Sequence, residues 1–106
     1  MAEPVFQRKA VVTSPQGLHA RPAELLARLA SSFESEIEIV RDNHRVDAKS
    51  ILHVLTLGAG RGTELIVEAR GSDAAAAAEA LAKLVESDFS HDPMLSRDGS
   101  RASRGG

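Results

Sequence analysis

The sequence predicts an α+β sandwich, an antiparallel sheet with helices packed on one face. Three observations predict it. Residues 36–39 and 63–70 alternate polar with apolar side chains, the period of a half-buried strand. Residues 26–33 and 77–85 repeat their apolar positions at helical spacing. Taken in order the segments read βαββαβα, with two strands joined by a short turn at Asp42-Asn43, a pattern that favours antiparallel pairing.

Val5 to Val12 reads as the first strand, although Gln7, Arg8 and Lys9 fall together and blur its alternation. Pro15 and Gly17 then mark a loop. Pro22 suits the first turn of a helix, because its missing N–H costs nothing there. The helix runs toward Phe33 with Leu26, Leu29, Ala30 and Phe33 as its apolar stripe. Glu36-Ile37-Glu38-Ile39 is the second strand and His44 to Asp47 its hairpin partner, with Asn43 expected to tolerate the left-handed conformation in the turn.

Ser50 is positioned to cap a short apolar helix, Ile51 to Leu55, which Gly58 ends. Its residues are apolar all round and do not say which side is buried. Gly58-Ala59-Gly60-Arg61-Gly62 reads as a loop. It lacks the G-x-G-x-x-G spacing of a phosphate cradle, and a strand rather than a helix follows it. Thr63 to Arg70 sets Leu65, Val67 and Ala69 against Glu64, Glu68 and Arg70. Gly71-Ser72-Asp73 ends that strand and caps the final helix, whose core face is Ala77, Ala78, Leu81, Leu84 and Val85. Glu79 and Lys83 form a favourable i,i+4 pair on its outer face. Residues 1–87 thus form one domain. Residues 88–106 are rich in Ser, Gly, Arg and Asp, lack periodicity, and read as a disordered tail.

Composition narrows the function classes. With 42% hydrophobic residues and no apolar run of membrane-spanning length, a soluble domain is expected, without membrane insertion. The N-terminus lacks the basic and apolar regions of a signal peptide, and cysteine is absent, so a cytoplasmic location is expected. A net charge of −2 and 3% aromatic residues argue against nucleic acid as a partner. His44, His53 and His91 show no metal-ligand spacing, and neither a metal site nor a cofactor is expected. A Ser-His-Asp hydrolase finds no G-x-S-x-G elbow, and a domain this small lacks room for a substrate pocket.

The chemistry concentrates in Ser14 to Ala23. His19 and Arg21 fall at the mouth of a helix, where first-turn N–H groups carry partial positive charge and suit an anion. Imidazole is nucleophilic and titrates near neutrality, so it can take a phosphoryl group and release it. For an arbitrary helix start the bland reading, His19 as a cap and Arg21 as a solvated charge, is the better one, since helix starts are common and few are functional.

Gly17-Leu18-His19-Ala20-Arg21-Pro22-Ala23 resembles the phosphorylation-site signature of HPr, the histidine-containing phosphocarrier family of the bacterial sugar phosphotransferase system. Asp47-Ala48-Lys49-Ser50-Ile51-Leu52, followed by Leu57-Gly58, resembles that family's regulatory serine site. The likeness runs from about Phe6 to Ser87. It implies an open-faced β-sandwich of four strands and three helices, acting as a monomeric carrier rather than an enzyme. By the same resemblance, His19 is the phosphorylated histidine, Arg21 pairs with the phosphoryl group, and Ser50 is the regulatory serine. Ala20, Arg28, Lys49, Ile51 and Leu52 match the docking surface, enzyme I and enzyme IIA domains are the implied partners, and HPr kinase/phosphorylase is the implied regulator. Two positions depart from the family pattern: Glu24, where acid is often avoided, and His53, which replaces a commoner Lys or Gly. Two other classes stand beside the carrier. One is a regulatory module of the same fold working through Ser50 in nitrogen or carbon control. The other is a small-molecule-binding α+β domain, which a ligand pocket away from His19 would favour.

Overall fold

A computed structural model of the chain describes residues 3–87. The expected tail, 88–106, and His91 within it lie outside the described residues. The elements are β1 (Val5–Val11), α1 (Ala20–Ser31), β2 (Glu36–Arg41), β3 (His44–Asp47), α2 (Ile51–Leu55), β4 (Glu64–Arg70) and α3 (Ala74–Glu86). The four strands form one antiparallel sheet in the order β1-β4-β2-β3. The architecture is the open-faced sandwich.

Register explains which side chains meet. Ala10 lies opposite Leu65, Val67 opposite Ile39, Ala69 opposite Ile37, and Ile39 opposite Val46. All seven are buried, and they form the sheet's contribution to the core. The helices supply Leu26, Ala30, Val54, Ala77, Ala78, Leu81 and Val85, each fully buried. The final helix buries the face its periodicity predicts, Ala77, Ala78, Leu81, Leu84 and Val85. Lys83 meets Glu79 at 3.5 Å on its outer side. Alanine-rich α3 lets the helix lie close on β1 and β4, because short side chains admit a close backbone approach.

Four local expectations need correction. Leu26 and Ala30 of α1 are buried, but Leu29 is only half so, and Phe33, also half-buried, falls beyond the helix end at Ser31. The innermost face runs through Pro22, Ala23, Leu25 and Ala27 as well. In the β2–β3 turn it is Asp42, with φ 54°, that adopts the left-handed conformation, not Asn43. Asp73 occupies the N-cap position of α3 but gives α3 no side-chain hydrogen bond. Its carboxylate crosses to the α1–β2 corner and accepts from the Glu34 and Ser35 amides, both at 2.9 Å.

The fourth concerns Glu68, which alternation assigns to the solvent face. It is only 7% exposed. Arg45 reaches over from β3 to its Oε1 at 2.9 Å, Arg70 bonds its Oε2 at 2.6 Å, and Gln7 donates to Oε1 at 3.3 Å. The hydrogen bond from Arg45 is the largest influence holding this carboxyl below the usual range, against the opposing effect of burial. The clustered polar residues of β1 also find their reason. Arg8 projects on the helix side and meets Glu79 of α3 at 3.7 Å, whereas Gln7 lies on the open side with Glu68.

Candidate functional site: the mouth of the first helix

The site begins with a braced loop. The Gly17 amide bonds Ser14 O at 3.0 Å, and the Leu18 amide bonds Ala59 O at 2.9 Å. Two further bonds, Val12 to Thr63 O and Gly62 to Val12 O, tie the end of β1 to the loop before β4. Gly17 has φ +73°, and a Cβ there would lie 2.4 Å from Ala59 O. Only glycine fits. The Gly58–Gly62 loop thus buttresses the segment that presents His19.

His19 is the N-cap of α1, with extended backbone and no side-chain cap bond. Its carbonyl accepts the first helical bond, from Ala23 at 2.9 Å, while its exposed imidazole is left uncommitted to capping. The helix starts at Ala20, so Pro22 is its third residue, buried and without an N–H to offer. The amides of Ala20 and Arg21 belong to the first turn, ahead of that first helical bond. Arg21 is exposed and its Nη1 meets Glu24 Oε1 at 3.3 Å. The other oxygen of Glu24 meets Arg28 Nη2 at 2.8 Å.

Ser50 is the N-cap of α2, and its Oγ accepts from the His53 amide at 3.3 Å. Asp47 prepares that turn, its carboxylate accepting from the Lys49 amide at 2.9 Å. Just past the far end, Arg41 Nη1 donates to Leu57 O and Gly58 O, at 2.8 and 2.9 Å, tying the turn that follows α2 to β2. His53 is exposed, and its Nδ1 faces the Asp47 amide at 3.4 Å; His44 Nε2 lies 3.0 Å from Thr56 Oγ1. Among the described residues no cluster of three potential metal ligands occurs.

Val54 is the buried residue of α2. Ile51 is 41% exposed, Leu52 75% and Leu55 37%, so α2 turns an apolar face outward. Leu55 belongs to that face, one turn on from Ile51, and the all-apolar segment carried no signal to tell it from buried Val54. A groove of about 340 Å³ between α1 and α2 brings Arg28, Lys49 and Ile51 together, with Glu24, Ala27 and Ser31. Lys49 is partly committed elsewhere, donating from Nζ to Phe33 O at 2.9 Å. Ala20 is exposed beside His19 at the start of α1, and Leu52 stands outside the groove lining.

Residues 6–87 match a family model described as the PTS HPr component phosphorylation site. The phosphocarrier protein HPr of Treponema pallidum is 43% identical over 81 residues, covering 76% of this chain and 92% of that protein. The crystal structure of HPr from Bacillus anthracis superposes with a TM-score of 0.73 at 40% identity, covering 76% of this chain and 96% of the other. HPr-C-His of Thermoanaerobacter tengcongensis gives 0.76 at 38% identity, over 81% and 97%. No described helix is long and apolar enough to cross a membrane. By sequence and by fold alike, the chain belongs to the HPr phosphocarrier family of the phosphotransferase system.

Proposed function

We propose that this chain carries a phosphoryl group on His19, accepting it from phosphorylated enzyme I and passing it to sugar-specific enzyme IIA domains. The observation that carries the reading is His19 at the mouth of α1, exposed, with an imidazole that makes no cap bond. In the transfer, a ring-nitrogen lone pair of His19 forms a P–N bond as the donor's P–N bond breaks. The electron pair of the broken bond returns to the donor's ring. The reverse sequence, toward an enzyme IIA histidine, discharges the carrier.

Supporting groups follow from position. The first-turn amides of Ala20 and Arg21 and the positive end of α1 favour the added negative charge. Arg21 offers a planar, permanently charged donor set that follows the phosphoryl oxygens as charge moves. A carrier must not bind the group too well, because a phosphohistidine held too firmly ceases to be a donor. Exposure of His19 meets that condition.

In this reading residues 1–87 are the monomeric, cytoplasmic carrier unit. Ala20, Arg28, Lys49, Ile51 and Leu52 dock its partners, with Leu55 extending the apolar patch. Ser50 is the site at which HPr kinase/phosphorylase would regulate docking. A module working only through Ser50 has no need of His19 or Arg21, so the pair favours the carrier.

The test is incubation with phosphoenolpyruvate and a general enzyme I, followed by mapping of the phosphate by mass spectrometry. The label should be acid-labile, base-stable and located on His19, and His19→Ala should lack it. Label persisting in His19→Ala would overturn the assignment.

A further inference from the structure

We propose that Arg41, the last residue of β2, is a positioning residue for His19, acting through the turn that follows α2. The inference rests on the His19 reading above. Ile37, Ile39 and Arg41 alternate onto the face of the sheet that the helices cover, and the two isoleucines are buried in the core. Arg41 ends that row half-buried, its stem following the core and its guanidinium reaching the turn after α2. There Nη1 donates to Leu57 O at 2.8 Å and to Gly58 O at 2.9 Å. Gly58 is left-handed, with φ 58°, and the two carbonyls that one nitrogen collects lie on either side of it.

The next residue meets the site. Ala59 O accepts from the Leu18 amide at 2.9 Å, and it is the atom nearest to where a Cβ on Gly17 would stand. The path runs from the Arg41 guanidinium to the carbonyls of Leu57 and Gly58, along the chain to Ala59 O, and across to Leu18, the residue before His19. The buried side chains of Leu57 and Ala59 fix how deep the turn sits, but apolar packing has no direction and does not orient a carbonyl. A hydrogen bond does, because it weakens steeply as N–H···O departs from a straight line. Arg41 therefore sets the tilt of the peptide planes at Leu57 and Gly58, and that tilt aims the Ala59 carbonyl at Leu18. The attacking nitrogen must meet phosphorus in line with the departing group, so the angle at which the imidazole is presented enters the rate. Arg41 touches none of the reacting atoms, and the bonds made and broken at His19 are unchanged.

The measurement is single-turnover transfer from phosphorylated enzyme I to the full-length carrier, rapidly quenched, with the label mapped. Arg41→Ala should lower the rate at saturating enzyme I by about ten-fold, less than the roughly hundred-fold that a misplacement of about 1 Å can cost. The enzyme I concentration for half-saturation should move little. Both carbonyls take their bonds from a single nitrogen, so the ammonium of Arg41→Lys can serve the two and should recover most of the rate. Amide hydrogen exchange adds a readout that a merely structural role would not single out. In Arg41→Ala the Leu18 amide should exchange about five- to ten-fold faster, the scale of one hydrogen bond, while Leu65 and Val67 in β4 hold their rates. Should Arg41→Ala melt too early for kinetics, Arg41→Gln keeps part of the stem and ends short of the turn. An unchanged rate with label on His19, or a Leu18 amide that speeds up no more than Leu65 and Val67, overturns this inference alone. Wild-type label on another residue overturns the His19 reading and this inference with it.

Discussion

Asp73 and Ser35 are joined twice: one carboxylate oxygen accepts from the Ser35 hydroxyl at 2.5 Å and from its amide at 2.9 Å. The other oxygen takes the Glu34 amide. Gly71 closes on the same serine, where a Cβ would lie 2.8 Å from Ser35 Oγ. The corner after α1 and the start of α3 are thereby stitched at one point. The Ser35 hydroxyl, first among its hydrogen-bond partners, holds the Asp73 carboxyl below its usual range.

The pH dependence follows from that direction. A depressed carboxyl adds stability that is complete above the ordinary aspartate value, about 3.9, and is lost as pH falls through the lower folded value. Asp73→Asn should therefore melt below the wild type at neutral pH, and the gap should narrow in acid. Melting curves from pH 7 to pH 2 make the comparison. A gap that stays constant would mean the carboxylate charge plays no part.

Gly17 and Gly60 offer a matched pair. Gly17→Ala sets a Cβ against Ala59 O in a left-handed conformation, which alone costs about 1–2 kcal/mol. Gly60 has nothing within 4 Å of the added atom and no left-handed φ. Denaturant unfolding should show a loss of more than about 1 kcal/mol for the first and within about 0.5 kcal/mol for the second. Phosphorylation should slow in the first alone, because the loop it displaces presents His19.

Arg21→Ala should leave the melting temperature near the wild type, since exposed substitutions usually fall within about 0.5 kcal/mol. Phosphoryl transfer should nevertheless slow markedly. Rapid-quench transfer from phosphorylated enzyme I beside a thermal melt separates the two effects, and wild-type transfer would remove Arg21 from the site.

Ser50→Asp keeps a good N-cap residue at the start of α2, so the fold should melt nearly as before. It places a negative charge beside the exposed Ile51 and Leu52, where an acidic partner would dock. Calorimetric titration with enzyme I should show weaker binding at low salt, with the difference shrinking at high salt. Equal affinities at low salt would leave Ser50 as a cap only.

Where one residue's environment is set by its own strand or helix, the sequence was legible. Leu65, Val67 and Ala69 alternate and are buried; Ser50 precedes an apolar run and caps it. What escaped depends on partners distant along the chain. Glu68 counts as an outward residue of β4, and becomes buried only because Arg45 and Gln7 arrive from two other strands. Asp73 has the chemistry of an N-cap, yet two amides and a hydroxyl across the corner compete for it and win. The Gly17 signature marked the candidate site, but not the Ala59 carbonyl that makes the glycine necessary. Leu55 was hidden in a segment apolar all round, where spacing from Ile51 suits buried Val54 as well, and the bridge through Glu24 needed rotamers to appear.

The strand order has a consequence for synthesis. β1 leaves the ribosome first, yet its sheet neighbour is β4, the last strand to be made. Until Glu64–Arg70 has emerged, β1 has no edge to join, and until Ala59 has emerged the Leu18 amide has no acceptor. Such long-range pairings form late, because closing the intervening chain costs entropy before any contact repays it. A nascent chain can therefore hold its hairpin, Glu36 to Asp47, well before it holds His19 in place. The loop at Gly17 takes its shape only as the sheet closes, so a chain cut short before β4 would display the histidine without the frame that presents it.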